Sequence, residues 1–116
     1  MKDNIIMLSI IIPVYNAGQF IEKCLQSCEN QDIDPSVYEI ILINDGSLDR
    51  SLIIMKNTIK KYTNILLLSG PNEGVSNARN KGLDIAQGKY IWCVDADDRI
   101  EINCLSKILF ILEHWI

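Results

Sequence analysis

The stretch Met7-Leu8-Ser9-Ile10-Ile11-Ile12-Pro13-Val14 decides the architecture of this chain. A half-exposed strand alternates apolar and polar residues; this run hardly does, so both of its faces are expected to be buried. Strands covered on both faces belong to parallel sheets with helices above and below. The run closes at Pro13 and Asn16. Beyond it Phe20, Ile21, Cys24, Leu25 and Cys28 recur at helical spacing, with Asn16 placed to cap that helix. The same alternation then repeats. Tyr38–Ile43 reads as a strand, and Leu52, Met55, Ile59 and Tyr62 as a helix. Residues 65–68 read as a strand, and the stripe Val75, Ala78, Arg79, Gly82, Leu83 and Ala86 as a helix. Tyr90–Val94 reads as a strand, followed by a helix from about Asn103 to His114. Strand and helix in alternation imply right-handed crossovers and one parallel α/β sheet with helices on both faces.

Length and composition narrow the function. The 116 residues (13.2 kDa) suit one domain, and 48% hydrophobic with 22% charged residues is a globular mixture. Twenty-one Ile and twelve Leu favour buried strands and amphipathic helices. A net charge of −4 argues against a dedicated nucleic-acid binder, which needs a basic face. The single histidine, His114, lies near the end of the chain, which disfavours a triad built around a central His and rules out a zinc site with several His. Cys24, Cys28, Cys93 and Cys104 form no C-x-x-C and read as ordinary thiols in a reducing compartment. The short apolar run after MKDN reads as neither an export signal nor a membrane span, so a cytoplasmic location is expected.

In open parallel sheets ligands bind outside the carboxyl ends of the strands, where strand order reverses. Four loops end there: Pro13–Gly18, Asn44–Asp49, Gly70–Val75 and Asp95–Arg99. Asp95-Ala96-Asp97-Asp98 places three carboxylates within four residues of a strand end. In extended chain Asp95 and Asp97 point the same way, and two crowded carboxylates are relieved by a hard divalent cation such as Mg²⁺ or Mn²⁺. The competing account is a solvated loop leading into a helix. Asp45, at the end of the second strand, can accept a ring N–H or hydroxyl; Gly46 permits the turn, and Ser47 or Asp49 can cap the next helix. Tyr15 offers a flat face to a nucleobase, or else a lid to the core. Arg79 either snorkels or reaches a phosphate or base. No G-x-G-x-x-G follows the first strand, and Gly82, Gly88 and Lys89 lack the spacing and hydroxyl of a phosphate loop.

Taken in order, Ser9–Asn16 (SIIIPVYN), Glu39–Asp49 (EIILINDGSLD), Asn72–Gly82 (NEGVSNARNKG) and Gly88–Asp98 (GKYIWCVDADD) resemble the nucleotide-sugar-binding half of family 2 glycosyltransferases. The resemblance implies a GT-A fold with a Rossmann-like sheet, and a single nucleotide-diphospho-sugar-binding domain over residues 1–116. It implies a base pocket lined by Pro13 and Tyr15, Asp45 bonded to the base, and Arg79 at the base or diphosphate. Asp95 would meet the ribose or a metal-bound water, and Asp97 would ligate Mn²⁺ or Mg²⁺ across the diphosphate. The implied partners are a nucleotide sugar, by family habit a UDP-sugar, and a glycan or lipid-linked acceptor, with inversion at the transferred carbon. Asn44 stands where many members carry Asp.

Members of the family continue well beyond the acidic turn, and their later part carries the acceptor site and general base. The chain is therefore expected to be an N-terminal portion of a longer enzyme, cytoplasmic or peripheral at the inner face of a membrane. Glu101 and Glu113 lie too early to be that base. Apolar surface near Phe110, Ile111 and Trp115 is expected to favour self-association. The rival readings are a non-catalytic nucleotide-binding module, a phosphotransferase with Asp95 as nucleophile, and a receiver-like signalling domain. The last should carry its acidic pair after the first strand, where this chain has Pro-Val-Tyr-Asn.

Overall fold

The computed structural model describes residues 5–115. Four strands, β1 (Leu8–Val14), β2 (Tyr38–Asp45), β3 (Ile65–Gly70) and β4 (Tyr90–Cys93), alternate with helices α1 (Ile21–Glu29), α2 (Ser51–Ile59), α3 (Val75–Ile85) and α4 (Leu105–Trp115). All strand pairs are parallel and the order is β3-β2-β1-β4. β1 is therefore central. The chain first builds leftward through β2 and β3, then returns to place β4 on the other side of β1. That reversal opens a crevice between the carboxyl ends of β1 and β4.

The two faces of the sheet differ. Leu8, Ile10, Ile12 and Val14 of β1, with Tyr38, Ile40 and Leu42 of β2, pack against Ile21, Cys24, Leu25 and Cys28 of α1. Met55 of α2 and Leu105 and Leu109 of α4 complete this larger core. The opposite face carries Ile11, Ile41 and Ile43, and meets α3 through Ala78. A Cβ on Gly82 would stand 2.6 Å from Ile11 Cγ2, so that glycine lets α3 lie close on the sheet. Of the α3 stripe only Ala78 and Gly82 are buried, while Val75 and Leu83 stay exposed. One narrow helix cannot cover four strands, and β4 alternates half-buried with exposed residues as a result.

Three expectations need correction. Asn16 does not cap α1, which begins only at Ile21; the Ala17 carbonyl accepts the Phe20 and Ile21 amides at 2.9 Å instead. Asn16 turns outward in a left-handed conformation (φ 50°), and its Oδ1 accepts the Leu48 amide at 2.7 Å and the Asp49 amide at 3.3 Å. Asn tolerates that backbone because its short polar side chain can bond locally. Second, α2 ends at Ile59, and Tyr62 lies beyond it in a turn where its amide donates to the Ile59 carbonyl at 3.1 Å. Third, Asp95–Asp98 is not extended: the Asp98 amide donates to the Asp95 carbonyl at 3.0 Å, closing a turn.

α4 is anchored by the segment that follows α1. Gln31 Oε1 accepts the Cys104 and Leu105 amides at 2.9 and 3.0 Å, and the Asp32 carboxylate accepts the Ser106 amide and hydroxyl. These bonds satisfy the first free amides of α4, as an N-cap would, from residues some seventy positions earlier. Ser106 in turn holds the Asp32 carboxyl below the usual carboxylate range.

Candidate functional site

The four polar loops meet at the carboxyl edge of the sheet. β1 delivers Pro13 and Tyr15, and the tyrosine ring stands 49% exposed above the edge. On one side of Tyr15 lies a cleft of about 210 Å³ walled by Pro13, Val14, Asp45, Asn72, Gly74 and Val75. On the other lies a cleft of about 250 Å³, walled by Asn16, Ala17, Phe20, Asp95, Ala96 and Asp97, which shares Pro13 and Tyr15. A larger hollow of about 640 Å³ lies elsewhere, around Asp34, Tyr38, Thr63 and Asn64. It sits at the amino ends of β2 and β3, away from every loop that carries the acidic and aromatic groups.

Asp45 is almost wholly buried (5% exposed) and is tied to the next loop. Its Oδ1 accepts the Glu73 amide at 2.8 Å, and its Oδ2 accepts the Gly74 amide at 3.0 Å. Asn72 Nδ2 donates to the Asp45 carbonyl at 3.0 Å and reaches Oδ2 at 3.4 Å. An ionised carboxylate has about four acceptor positions, so one remains for a donor entering the first cleft. Gly46 makes this junction possible: it adopts φ +67°, and a Cβ there would lie 2.4 Å from the Asn72 amide nitrogen. Neighbouring Asp49 acts as a brace. Its Oδ2 accepts the Gly18 amide at 3.0 Å and its Oδ1 the Ser51 amide at 2.9 Å; the Ser51 side chain above all, with these two amides, holds its carboxyl below the ordinary range. The Ser51 hydroxyl, fully buried, accepts the Ala17 amide at 2.9 Å. The first two loops are thus stitched together from both sides.

The acidic turn gathers more carboxylates than the alternating pattern of a strand would allow. Ligand oxygens of Asp95, Asp97 and Asp98 all lie within 4.8 Å of one another, and all three residues are exposed. Three hard oxygen donors on one exposed turn, with open space beside them for water or phosphate oxygens, fit the incomplete shell that Mg²⁺ or Mn²⁺ takes from protein. The turn also leans on α1, since Cys24 Sγ donates to the Asp95 carbonyl at 3.7 Å. The Cys24 thiol is held below its ordinary pKa by a hydrogen bond from Cys28, whose own pKa that bond and burial push up. Arg79, from the second turn of α3, places Nη2 3.4 Å from Asp95 Oδ1.

The fold therefore brings Pro13, Tyr15 and Asp45 to one cleft and Pro13, Tyr15, Asp95 and Asp97 to its neighbour, with Arg79 against Asp95. Asp98, read as part of the acidic turn but left out of the ligand set, joins the cluster. Asn72 and Phe20 were not foreseen as site residues. Asn72, two residues before Gly74 with its positive φ, carried a turn signal but nothing that tied it to Asp45.

The model of glycosyl transferase family 2 matches residues 9–114. The chain belongs to that family. It is 46% identical over 93 residues to the uncharacterised glycosyltransferase YibD of Escherichia coli (strain K12), covering 80% of this chain and 26% of that protein. It superposes on TarS 1–349 of S. aureus in complex with UDP-GlcNAc with a TM-score of 0.86 and 30% identity, over 94% of this chain and 32% of that one. The mannosyltransferase PcManGT from Pyrobaculum calidifontis, in complex with GDP-Man and Mn²⁺, shares the fold at a TM-score of 0.81. There the identity is 20%, over 90% of this chain and 32% of the other. The fold is thus the Rossmann-like α/β arrangement of GT-A glycosyltransferases. The chain spans between about a quarter and under half of the length of the first curated relatives it matches. Among the described residues no helix is long and apolar enough to cross a membrane.

Proposed function

We propose that this chain binds the nucleoside diphosphate sugar of a family 2 glycosyltransferase, base in the cleft of Asp45 and diphosphate in the cleft of the acidic turn. The observation that carries this reading is the shared wall: Pro13 and Tyr15 border both clefts, so one ligand can lie across them. Tyr15 would stack on the base, and the remaining lone pair of Asp45 would accept a ring N–H, as uracil presents at its Watson–Crick edge. Asp97 and Asp95, with Asp98, would hold Mn²⁺ or Mg²⁺, and Arg79 would bond a phosphate oxygen or the base. The cation, once bound, supplies charge stabilisation to the departing nucleoside diphosphate. UDP-GlcNAc in TarS and GDP-Man with Mn²⁺ in PcManGT are ligands of the type these clefts would take.

The acceptor site and general base belong, in this reading, to polypeptide beyond these 116 residues, as expected of an N-terminal portion of a longer enzyme. That enzyme would transfer a sugar with inversion to a glycan or lipid-linked acceptor, from the cytoplasm or the inner face of a membrane. The phosphotransferase and the receiver-like readings both want their acidic pair after an early strand, whereas here it follows β4.

Thermal unfolding with UDP, GDP, CDP and TDP, each with and without Mn²⁺, tests the reading on the wild type and Asp97→Ala. A ligand at about a hundred times its dissociation constant adds roughly 2.7 kcal/mol, a rise of roughly 10 °C for a domain of this size. A rise that needs both nucleotide and metal and is lost in Asp97→Ala is the expected result. A wild type whose midpoint no nucleotide moves would sink it.

A further inference from the structure

Arg79 is the only cation that the structure pairs with the acidic turn among the described residues. The pairing is incomplete. One Nη reaches Asp95 Oδ1 at 3.4 Å, while Nε is buried and has no acceptor among the described residues. A guanidinium offers five donors in a planar fork, so this one is underused where it sits. Asp95, for its part, spends an oxygen on Arg79 that the cluster of three carboxylates would otherwise offer to a cation.

We propose that Arg79 and the divalent cation compete for Asp95, and that an anionic diphosphate settles the competition by drawing the guanidinium to itself. The proposal rests on the donor-site reading above. Without nucleotide, a cation arriving at the turn meets a positive charge already bonded to one of its ligands, and both effects oppose it. A diphosphate carries more charge than one carboxylate and can take two donors of the fork at once. It can also give the buried Nε the acceptor it lacks. Nucleotide binding then leaves Asp95 free to face the metal or the ribose. Arg79 is a positioning residue in this scheme, acting on the metal site through Asp95, and the metal follows the nucleotide rather than preceding it.

The test uses Mn²⁺ alone on the whole chain, read by paramagnetic broadening of the Asp97 and Asp98 amide signals and by the resonance of free Mn²⁺. Arg79→Gln removes the competitor, and Mn²⁺ affinity is expected to rise about fivefold, the range of an exposed ion pair. Arg99→Gln removes a like charge from beside the acidic turn, yet Arg99 forms no ion pair among the described residues. It should leave the affinity within about twofold of the wild type, and Arg79→Lys, which keeps the charge, should rise less than Arg79→Gln. An Arg79→Gln variant that binds Mn²⁺ no tighter than wild type, or an Arg99→Gln variant that gains as much, overturns the proposal. The same samples titrated with UDP plus Mn²⁺ test the underlying reading separately: Arg79→Gln should then bind about tenfold more weakly. A wild type that ignores UDP would count against the donor site, while the metal-only comparison still decides the competition.

Discussion

Glu29, at the end of α1, is a carboxyl group whose ionisation the fold opposes. Burial pushes its carboxyl up to about 7, although Tyr38 and Asn64 partly counter that. Its Oε2 and the nearby Asn64 Oδ1 are both buried acceptors without a donor among the described residues. A proton on the carboxyl turns one of those acceptors into a donor. Of the other titratable groups against it, the Tyr38 hydroxyl donates to the Cys28 carbonyl at 2.8 Å and is itself pushed up by burial, while the Cys28 thiol is pushed up by its bond to Cys24 and by burial. The folded chain thus holds a proton at Glu29 that the unfolded chain releases near its ordinary pKa of about 4.5. Stability linked to this group is intact below that value, falls as pH rises towards about 7, and is level above it. Glu29→Gln should match wild type near pH 4 and exceed it at pH 8, by up to about 3 kcal/mol. Thermal midpoints of both proteins across that range check it; a constant offset would contradict it. Nothing in the sequence marked Glu29, because its burial depends on Tyr38 of β2 and Asn64, just before β3, arriving beside it. Asp45 shows the converse. Its place at a strand end was legible, but the bonds from Glu73 and Gly74 that orient it were not, since they link loops nearly thirty residues apart.

At the scale of elements, apolar runs and period identified the four strands and the four α-helices among the described residues, since each depends on neighbours in sequence; the short 3-10 turn Pro35–Val37 was not foreseen. The ends were less legible. Asn16 had the chemistry of a cap and was claimed instead by the amides of Leu48 and Asp49. The spacing of Asp95 and Asp97 suits an extended chain, yet a backbone bond curls the acidic turn and brings in a third carboxylate. Gly82 offers a test of which influence governs α3. In an isolated helix Gly→Ala is worth roughly 1 kcal/mol of stability. Here the new Cβ would meet Ile11 Cγ2 at 2.6 Å and Ile43 Cδ1 at 3.0 Å. Gly82→Ala should therefore destabilise the chain by about 1–3 kcal/mol in urea denaturation, the cost of overpacking. A more stable variant would mean that α3 can lift off the sheet at little cost.

Over the whole molecule, the apolar surface is unevenly distributed. Phe110 (59% exposed) and Ile111, with Ser106 and Lys107, border a shallow groove on α4, and Trp115 is exposed at the end of the same helix. Ile91 (42% exposed) and Cys93 stand on the thinly covered face of β4. Apolar surface of this kind is normally covered by more protein. The 116-residue chain on its own should show a weight-average mass in sedimentation that climbs with concentration, and Phe110→Lys with Ile111→Lys should reduce that climb. A mass fixed at that of the monomer would refute it. The overall layering was legible because alternation and apolar runs determine it; the uneven cover was not, because it depends on how far α3 reaches across the sheet. The stitching of the first two loops bears on how such a site can diversify. Asn16, Ser47, Asp49 and Ser51 bond across two chain segments at once, so inserting or deleting a residue in either loop would put every one of these partners out of step. Length change is therefore closed to this corner of the protein, and any new ligand preference here must come from exchanging side chains on a backbone of constant span.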